Sequence, residues 1–230
     1  MRMSRVAAAM LAVLALSVAG SITGCTRLVD GSGQASGERP GSEITEDGWG
    51  ILIGYPDARA QIEVFTEPQC PACARLQHDT GDDIATAVGT GQLAVIYRPL
   101  TFLDQGFTDY SARVANAMFL AAGPGTTGTA FQAFVQDLWG HQEPEGSPGP
   151  TDDDIAAMAS ESGVGAEQTG KITAGEEAVD SELLNEANAD LLGETTYEVA
   201  TPTVYDLIGE EVVEISDPEW LAKLLKAPTS

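Results

Sequence analysis

The chain of 230 residues has little cysteine, little histidine and little positive charge: three Cys, two His, and 11 Lys and Arg against 35 Asp and Glu. Three cysteines cannot build a disulfide scaffold; they allow one intramolecular bridge. With His78 and His141 the only histidines, a zinc site on Cys70 and Cys73 would have to recruit ligands far away in sequence, so no metal is expected. The shortage of cations leaves a formal net charge of −24. That argues against nucleic acid as a partner and against a protein-wide electrostatic hold on anionic lipid. The acidity itself reads as a solubility device. No internal repeat appears, and the apolar run "VAAAMLAVLALSVA" at 6–19 is too short to span a bilayer comfortably.

That run follows Arg2 and Arg5, and the arrangement of a positive end before a short apolar core reads as an export signal over residues 1–24. Next comes "ITGC" at 22–25, which resembles the bacterial lipobox. The resemblance implies cleavage before Cys25, lipidation of that cysteine, and a protein held on the extracytoplasmic face of the bacterial cell membrane. Ordinary secretion would instead leave Cys25 as an unpaired thiol in an oxidising compartment, which is a liability. Loss of the signal removes two arginines and no acid, taking the net charge from −24 to −26.

Residues 25–48 then read as a lipidated N-terminus and flexible tether, rich in Gly and Ser and without apolar period. A coil of that length spans on the order of 25 Å. From 49 to 230 the chain reads as one domain of about 180 residues, long enough for a sizeable core. "WGILIG" at 49–54, "QIEVFTE" at 61–67 and "LAVIYRPL" at 93–100 have the β-branched and aromatic content of strands. A helical stretch from the cysteine pair to about Val88 lies between the last two, which makes a βαβ unit with parallel strands.

From about 105 to 195 the period turns helical. Tyr110, Val114, Ala117, Met118 and Ala121 line one face; Phe131, Phe134, Val135, Leu138 and Trp139 line another, and both read as core. Thr151 before Asp152–Asp154 reads as a helix start, not a metal site. A further helix is expected to bury Val179, Leu183, Ala187 and Leu191. "TPTVYDLI" at 201–208 and "EVVEI" at 211–215 read as an antiparallel hairpin, and Asp217 and Pro218 as the start of a last helix with Trp220, Leu221, Leu224 and Leu225 inside.

The chemistry centres on "EPQCPAC" at 67–73. A Cys70–Cys73 disulfide closes too small a loop to be much of a staple, so a redox pair is the reading that remains. Pro71 suits the first helical turn. Cys70 then sits at the N-cap, where free amides and the positive helix end stabilise a thiolate. Cys73 lies one turn in and more buried, so Cys70 attacks and Cys73 resolves the mixed disulfide. Glu67 would oppose the thiolate if it pointed inward and Arg75 would favour it; both read as solvated, as does His78.

A strand, CPAC opening a helix, a βαβ unit, a helical block, and Thr201-Pro202 before a hairpin and last helix resemble the thioredoxin superfamily. The helical insertion makes the chain similar to its DsbA-like branch. The resemblance covers about residues 50–226 and implies an α/β thioredoxin-like fold in which Pro202 is a cis-proline facing the Cys70–Cys73 disulfide and the Thr201 backbone pairs with a client peptide. It also implies a thiol:disulfide oxidoreductase without cofactor. Its partners would be exported, cysteine-containing client proteins and a membrane-embedded thiol oxidase. A dedicated reductase and a non-enzymatic binding or chaperone module are the alternatives. Three departures bear on this. Pro71-Ala72 stands where strongly oxidising members have Pro-His, so no imidazolium stabilises the thiolate; Glu67, Arg75 and His78 flank the pair and read as solvated; and no dimerisation domain precedes the fold, against the V-shaped isomerases.

Overall fold

The computed structural model describes residues 40–104, 108–196 and 198–226. The export signal, Cys25 and most of the tether lie outside the described residues. A six-stranded sheet of order β1-β2-β4-β3-β5-β6 forms the frame. Its strands are β1 (Gly41–Ile44), β2 (Ile51–Gly54), β3 (Ala60–Thr66), β4 (Leu93–Pro99), β5 (Thr203–Asp206) and β6 (Glu211–Val212). Only β3 and β4 run parallel, with Val64 opposite Tyr97; every other pair is antiparallel. The parallel pair is joined by helix α1 (Pro71–Gly89), as the βαβ rule requires.

Five helices fill the chain between β4 and β5: α2 (Tyr110–Ala121), α3 (Gly128–Gly140), α4 (Asp152–Glu161), α5 (Ala166–Thr173) and α6 (Ser181–Thr196). A short α7 (Trp220–Leu224) closes the described chain. Both aromatic and aliphatic stripes read from the sequence, on α2 and α3, are buried throughout. They join Ile62, Val64, Ile84 and Val95 in one core. Successive strand residues point to opposite faces, and Phe65 accordingly leaves that core for a smaller cluster with Leu100 and Leu192 under α6. Thr151 opens α4 with a full capping box, its hydroxyl accepting from the Asp154 amide while the Asp154 carboxyl accepts from the Thr151 amide.

Four features depart from the sequence reading. Residues 41–44 are a strand, not tether: "GSEI" has too few apolar residues to announce itself, and it is held by pairing with β2 and by Ser42, whose hydroxyl donates to Thr126 O at 3.0 Å. The ordered domain therefore begins by Pro40, ahead of residue 49. On α6 the buried face is Leu184, Asn188 and Leu192, with Leu183 half exposed. The face rotates by one residue because Asn188 belongs inside, its amide donating to Trp49 O at 3.0 Å and Pro99 O at 2.8 Å. Backbone carbonyls at the ends of strands need such partners, and a binary apolar pattern cannot see one supplied by an amide. The hairpin forms, but β6 keeps only Glu211 and Val212. Finally, α7 starts at Trp220; Asp217 accepts from the Glu219 amide at 3.0 Å in the preceding turn rather than capping the helix.

On the α6 side of the sheet Arg98 is a buried cation, bonded to Glu63 Oε1 at 2.9 Å and to Asp47 Oδ2 at 2.7 Å. Among the described residues no helix is long and apolar enough to cross a membrane.

Candidate active site

β3 ends at Thr66 and the chain turns through Glu67, Pro68 and Gln69, the Cys70 amide donating back to Glu67 O at 3.1 Å. Cys70 is the N-cap of α1 in extended conformation, and Pro71 occupies the first turn, where a missing N–H costs nothing. The two thiols are free, Cys73 almost wholly buried and Cys70 9% exposed. As a thiol, Cys70 donates from Sγ to the Thr201 carbonyl at 3.3 Å. As a thiolate it accepts from the Cys73 thiol above all, and also from the Thr201 hydroxyl and the amides of Cys73 and Ala72. These outweigh the burial that opposes ionisation and draw the Cys70 pKa down to about 5. That is a firmer thiolate than the missing histidine suggests, because the donors are the helix amides and the second thiol. Burial first, then the hydrogen bond to the Cys70 sulfur and that sulfur's charge, push the Cys73 thiol far up, so it stays neutral.

Thr201 and Pro202 arrive from the far end of the insertion, between α6 and β5, and the peptide bond joining them is cis. Beside them opens a groove of about 450 Å³ lined by Ala72, Arg75, Leu76, Pro202, Ile215 and Trp220, among others. Arg75 is exposed on its wall, and His78 is exposed further along α1. α1, the Thr201-Pro202 turn and the C-terminal segment thus bring together Cys70, Cys73, Pro71, Ala72, Thr201 and Pro202.

Glu67 is the correction. It is not solvated: its side chain is fully buried, accepting from the Ser111 hydroxyl and, at 2.6 Å, from the Gln69 amide, while its own amide donates to Cys73 Sγ at 3.5 Å. Desolvation raises its pKa to about 7. The sequence carried a signal for this. A central strand covered on both faces buries residues of both parities, and Glu67 follows such a strand directly. Ser111, Gln69 and Gln142 gave no signal. Gln69 donates to Asp104 Oδ1 at 2.8 Å and Ser111 Oγ at 2.9 Å and accepts from the Gly146 amide at 2.8 Å. Gln142 donates to Pro68 O at 2.7 Å and Cys70 O at 3.0 Å. The loop after α3 therefore clamps the turn that carries Cys70.

A sheet with one parallel βαβ pair, a Cys-X-X-Cys helix start against a cis-proline turn, and a five-helix block between β4 and β5 define a thioredoxin-fold protein of the DsbA-like form. The chain belongs to the thioredoxin family, whose model, described as "Thioredoxin", matches residues 46–227. Among solved structures it is similar to the MdbA protein of Corynebacterium diphtheriae, a thiol-disulfide oxidoreductase, at 24% identity and a TM-score of 0.65, over 81% of this chain and 93% of that one. Reduced DsbA from Mycobacterium tuberculosis is similar at 22% identity and a TM-score of 0.59, over 82% and 91%. These likenesses establish the fold. Among curated proteins, the serine/threonine-protein kinase PknE of Mycobacterium tuberculosis is 33% identical over 185 residues, which is 76% of this chain and 31% of the kinase. The chain thus spans about a third of the length of the curated relatives it matches.

Proposed function

We propose that the protein is an extracytoplasmic thiol:disulfide oxidoreductase that forms or exchanges disulfides in exported, cysteine-containing proteins. The observation that carries this is the placement of two free thiols at one helix start, Cys70 at the N-cap with its Sγ 3.3 Å from Thr201 O and Cys73 one turn in and buried. A client thiolate attacks Cys70 Sγ, the more accessible sulfur, and Cys73 leaves and takes a proton; the low Cys70 pKa then makes Cys70 a good leaving group when the client's second thiolate closes the client disulfide, and Cys73 is in reserve to resolve a stalled mixed disulfide. Thr201 offers its backbone to an extended client strand, and Pro202, without an N–H, places no competing donor there. The similarity in fold to MdbA and DsbA proteins supports the same reading. No cofactor is needed, a membrane-embedded thiol oxidase returns the pair to the disulfide, and lipid on Cys25 holds the domain at the outer face of the cell membrane.

Trapping tests this. Cys73→Ser should accumulate mixed disulfides between Cys70 and client proteins that reductant releases, and Cys70→Ser should trap few. Equal trapping by both variants, or none by Cys73→Ser, would refute the assignment.

A further inference from the structure

The groove beside Pro202 continues past Trp220. A second hollow of about 270 Å³ lies further along α1, between that helix and α7, and Asp79, Thr80 and Pro218 line both. The two therefore adjoin as one trough. It starts at Ala72 and Pro202, beside the cysteine turn, and runs on to Ala87 and Leu225. Its apolar surface comes from Leu76, Ile215 and Trp220 in the first hollow and from Leu221 and Leu225 in the second.

Charge is spread unevenly along it. The charged lining residues are Arg75, Asp79 and Asp83, all exposed. They follow one another at intervals of four on α1, which stacks them on one face of the helix. A rise of about 1.5 Å per residue puts Asp83 about 12 Å further along the axis than Arg75. The cation thus stands at the cysteine end and the carboxylates lead away from it. Arg75 and Asp83 enter none of the ion pairs among the described residues. Asp79 meets His78 Nδ1 at 2.8 Å in an exposed pair, and such pairs hold weakly. On the facing wall Ser216 and Pro218 carry no charge, while Asp217 and Lys223 pair with each other over a different hollow. An extended chain advances about 3.3 Å per residue, so about 12 Å corresponds to three or four residues.

We propose that this trough is a specificity site, selecting client segments that carry an acidic side chain close to the reacting cysteine and a basic one three or four residues further along, with apolar residues between them. Charges in that order complement Arg75 and Asp83; the reverse order sets like against like at both ends. A second copy of the chain suits the trough poorly, because molecules of net charge −24 repel one another. Arg75 and Asp83 act on which client reaches Cys70, not on the exchange itself. The inference rests on the redox role proposed above and says which clients that role serves.

Single-cysteine peptides test the inference and the redox role separately. Four carry Asp next to the cysteine and Lys four residues away, or the reverse, on its N-terminal or its C-terminal side; a fifth carries neither charge. In excess, two peptide thiols lose two electrons and two protons and form a peptide disulfide. The electrons break the Cys70–Cys73 bond, and the protons pass to Cys73 and to solvent. Loss of the protein disulfide is followed by alkylation and mass spectrometry. Each rate is divided by that of the same peptide with hydroxyethyl disulfide, a neutral reagent, which removes the effect of the peptide's charges on its own thiol. On one side of the cysteine the Asp-near peptide should react about three- to tenfold faster than its reverse, and the ratio should fall toward one in strong salt. In the double variant Arg75→Glu, Asp83→Lys the order should invert; any effect of that variant on Cys70 itself cancels in the ratio. A lack of preference for the Asp-near peptide on either side, or an order that the double variant leaves unchanged, would overturn the inference and leave the redox role intact. Failure of all five peptides to reduce the protein would overturn both. A dimer in analytical ultracentrifugation that the double variant dissociates would assign the trough to a second copy and overturn the inference too.

Discussion

The Sγ of Cys70 and the carbonyl oxygen of Thr201 stand 3.3 Å apart across 131 residues of chain. As a thiol, Cys70 occupies that carbonyl; as a thiolate it withdraws the proton and leaves the oxygen free for an N–H from an incoming strand. The sulfur that exchanges and the backbone that would hold a client are thus linked through one hydrogen bond.

Cys70 should titrate near pH 5 in the reduced protein, readable as thiolate ultraviolet absorbance. The sign for stability follows from its lowered pKa. The contribution to the reduced fold is complete above the unfolded thiol value of about 8.5 and is lost as pH falls through 5, while the disulfide form has no such term. The stability of reduced over oxidised protein should therefore grow with pH between about 5 and 7.5, a range over which Cys73 is neutral in the folded reduced chain and still protonated for the most part in the unfolded one. A Cys70 pKa near 8.5, or a flat difference, would contradict this.

Arg98→Met should destabilise the fold by about 3–5 kcal/mol, because it strands the buried Glu63 carboxylate without its cation. Replacing both, Glu63→Leu with Arg98→Met, should recover most of the loss, since the desolvation cost goes with the charges. Denaturant unfolding of the three variants measures it; a single-variant loss below about 1 kcal/mol would show that Asp47 and solvent, not burial, govern this pair.

Cys25→Ala should move the protein from the membrane to the soluble fraction, or leave it as an unprocessed precursor. Two acyl chains anchor firmly at about 0.8 kcal/mol per buried methylene. Fractionation with unchanged membrane attachment and maturation would remove lipid on Cys25 from the account.

How far the sequence could be read depended on whether apolar atoms alone decided a position. β3 and β4 announce themselves because both faces of each strand are covered, and α2 and α3 because their buried stripes are purely apolar. Thr151 was legible from cap chemistry that is local to four residues. Where a polar group decides, the reading failed: Asn188 turned α6 by one position, Ser42 and its pairing made a strand of "GSEI", and Glu67 went inside to meet Ser111. The cysteine pair and Thr201-Pro202 were legible as a spacing. The clamp around them was not, because Gln69, Ser111 and Gln142 become neighbours only once the insertion has folded over the turn.

That clamp bears on any attempt to reduce the molecule to a smaller redox module. Joining β4 directly to Thr201 would keep every strand, α1, both cysteines, the Thr201-Pro202 turn and the groove wall. It would delete the donors on Pro68 O and Cys70 O from Gln142 and the amide of Gly146 that holds Gln69. A trimmed version would preserve the sheet while losing control over the angle at which Cys70 meets Thr201, so the helical block serves as the jig in which the reactive turn is held, and the two parts form a single working unit.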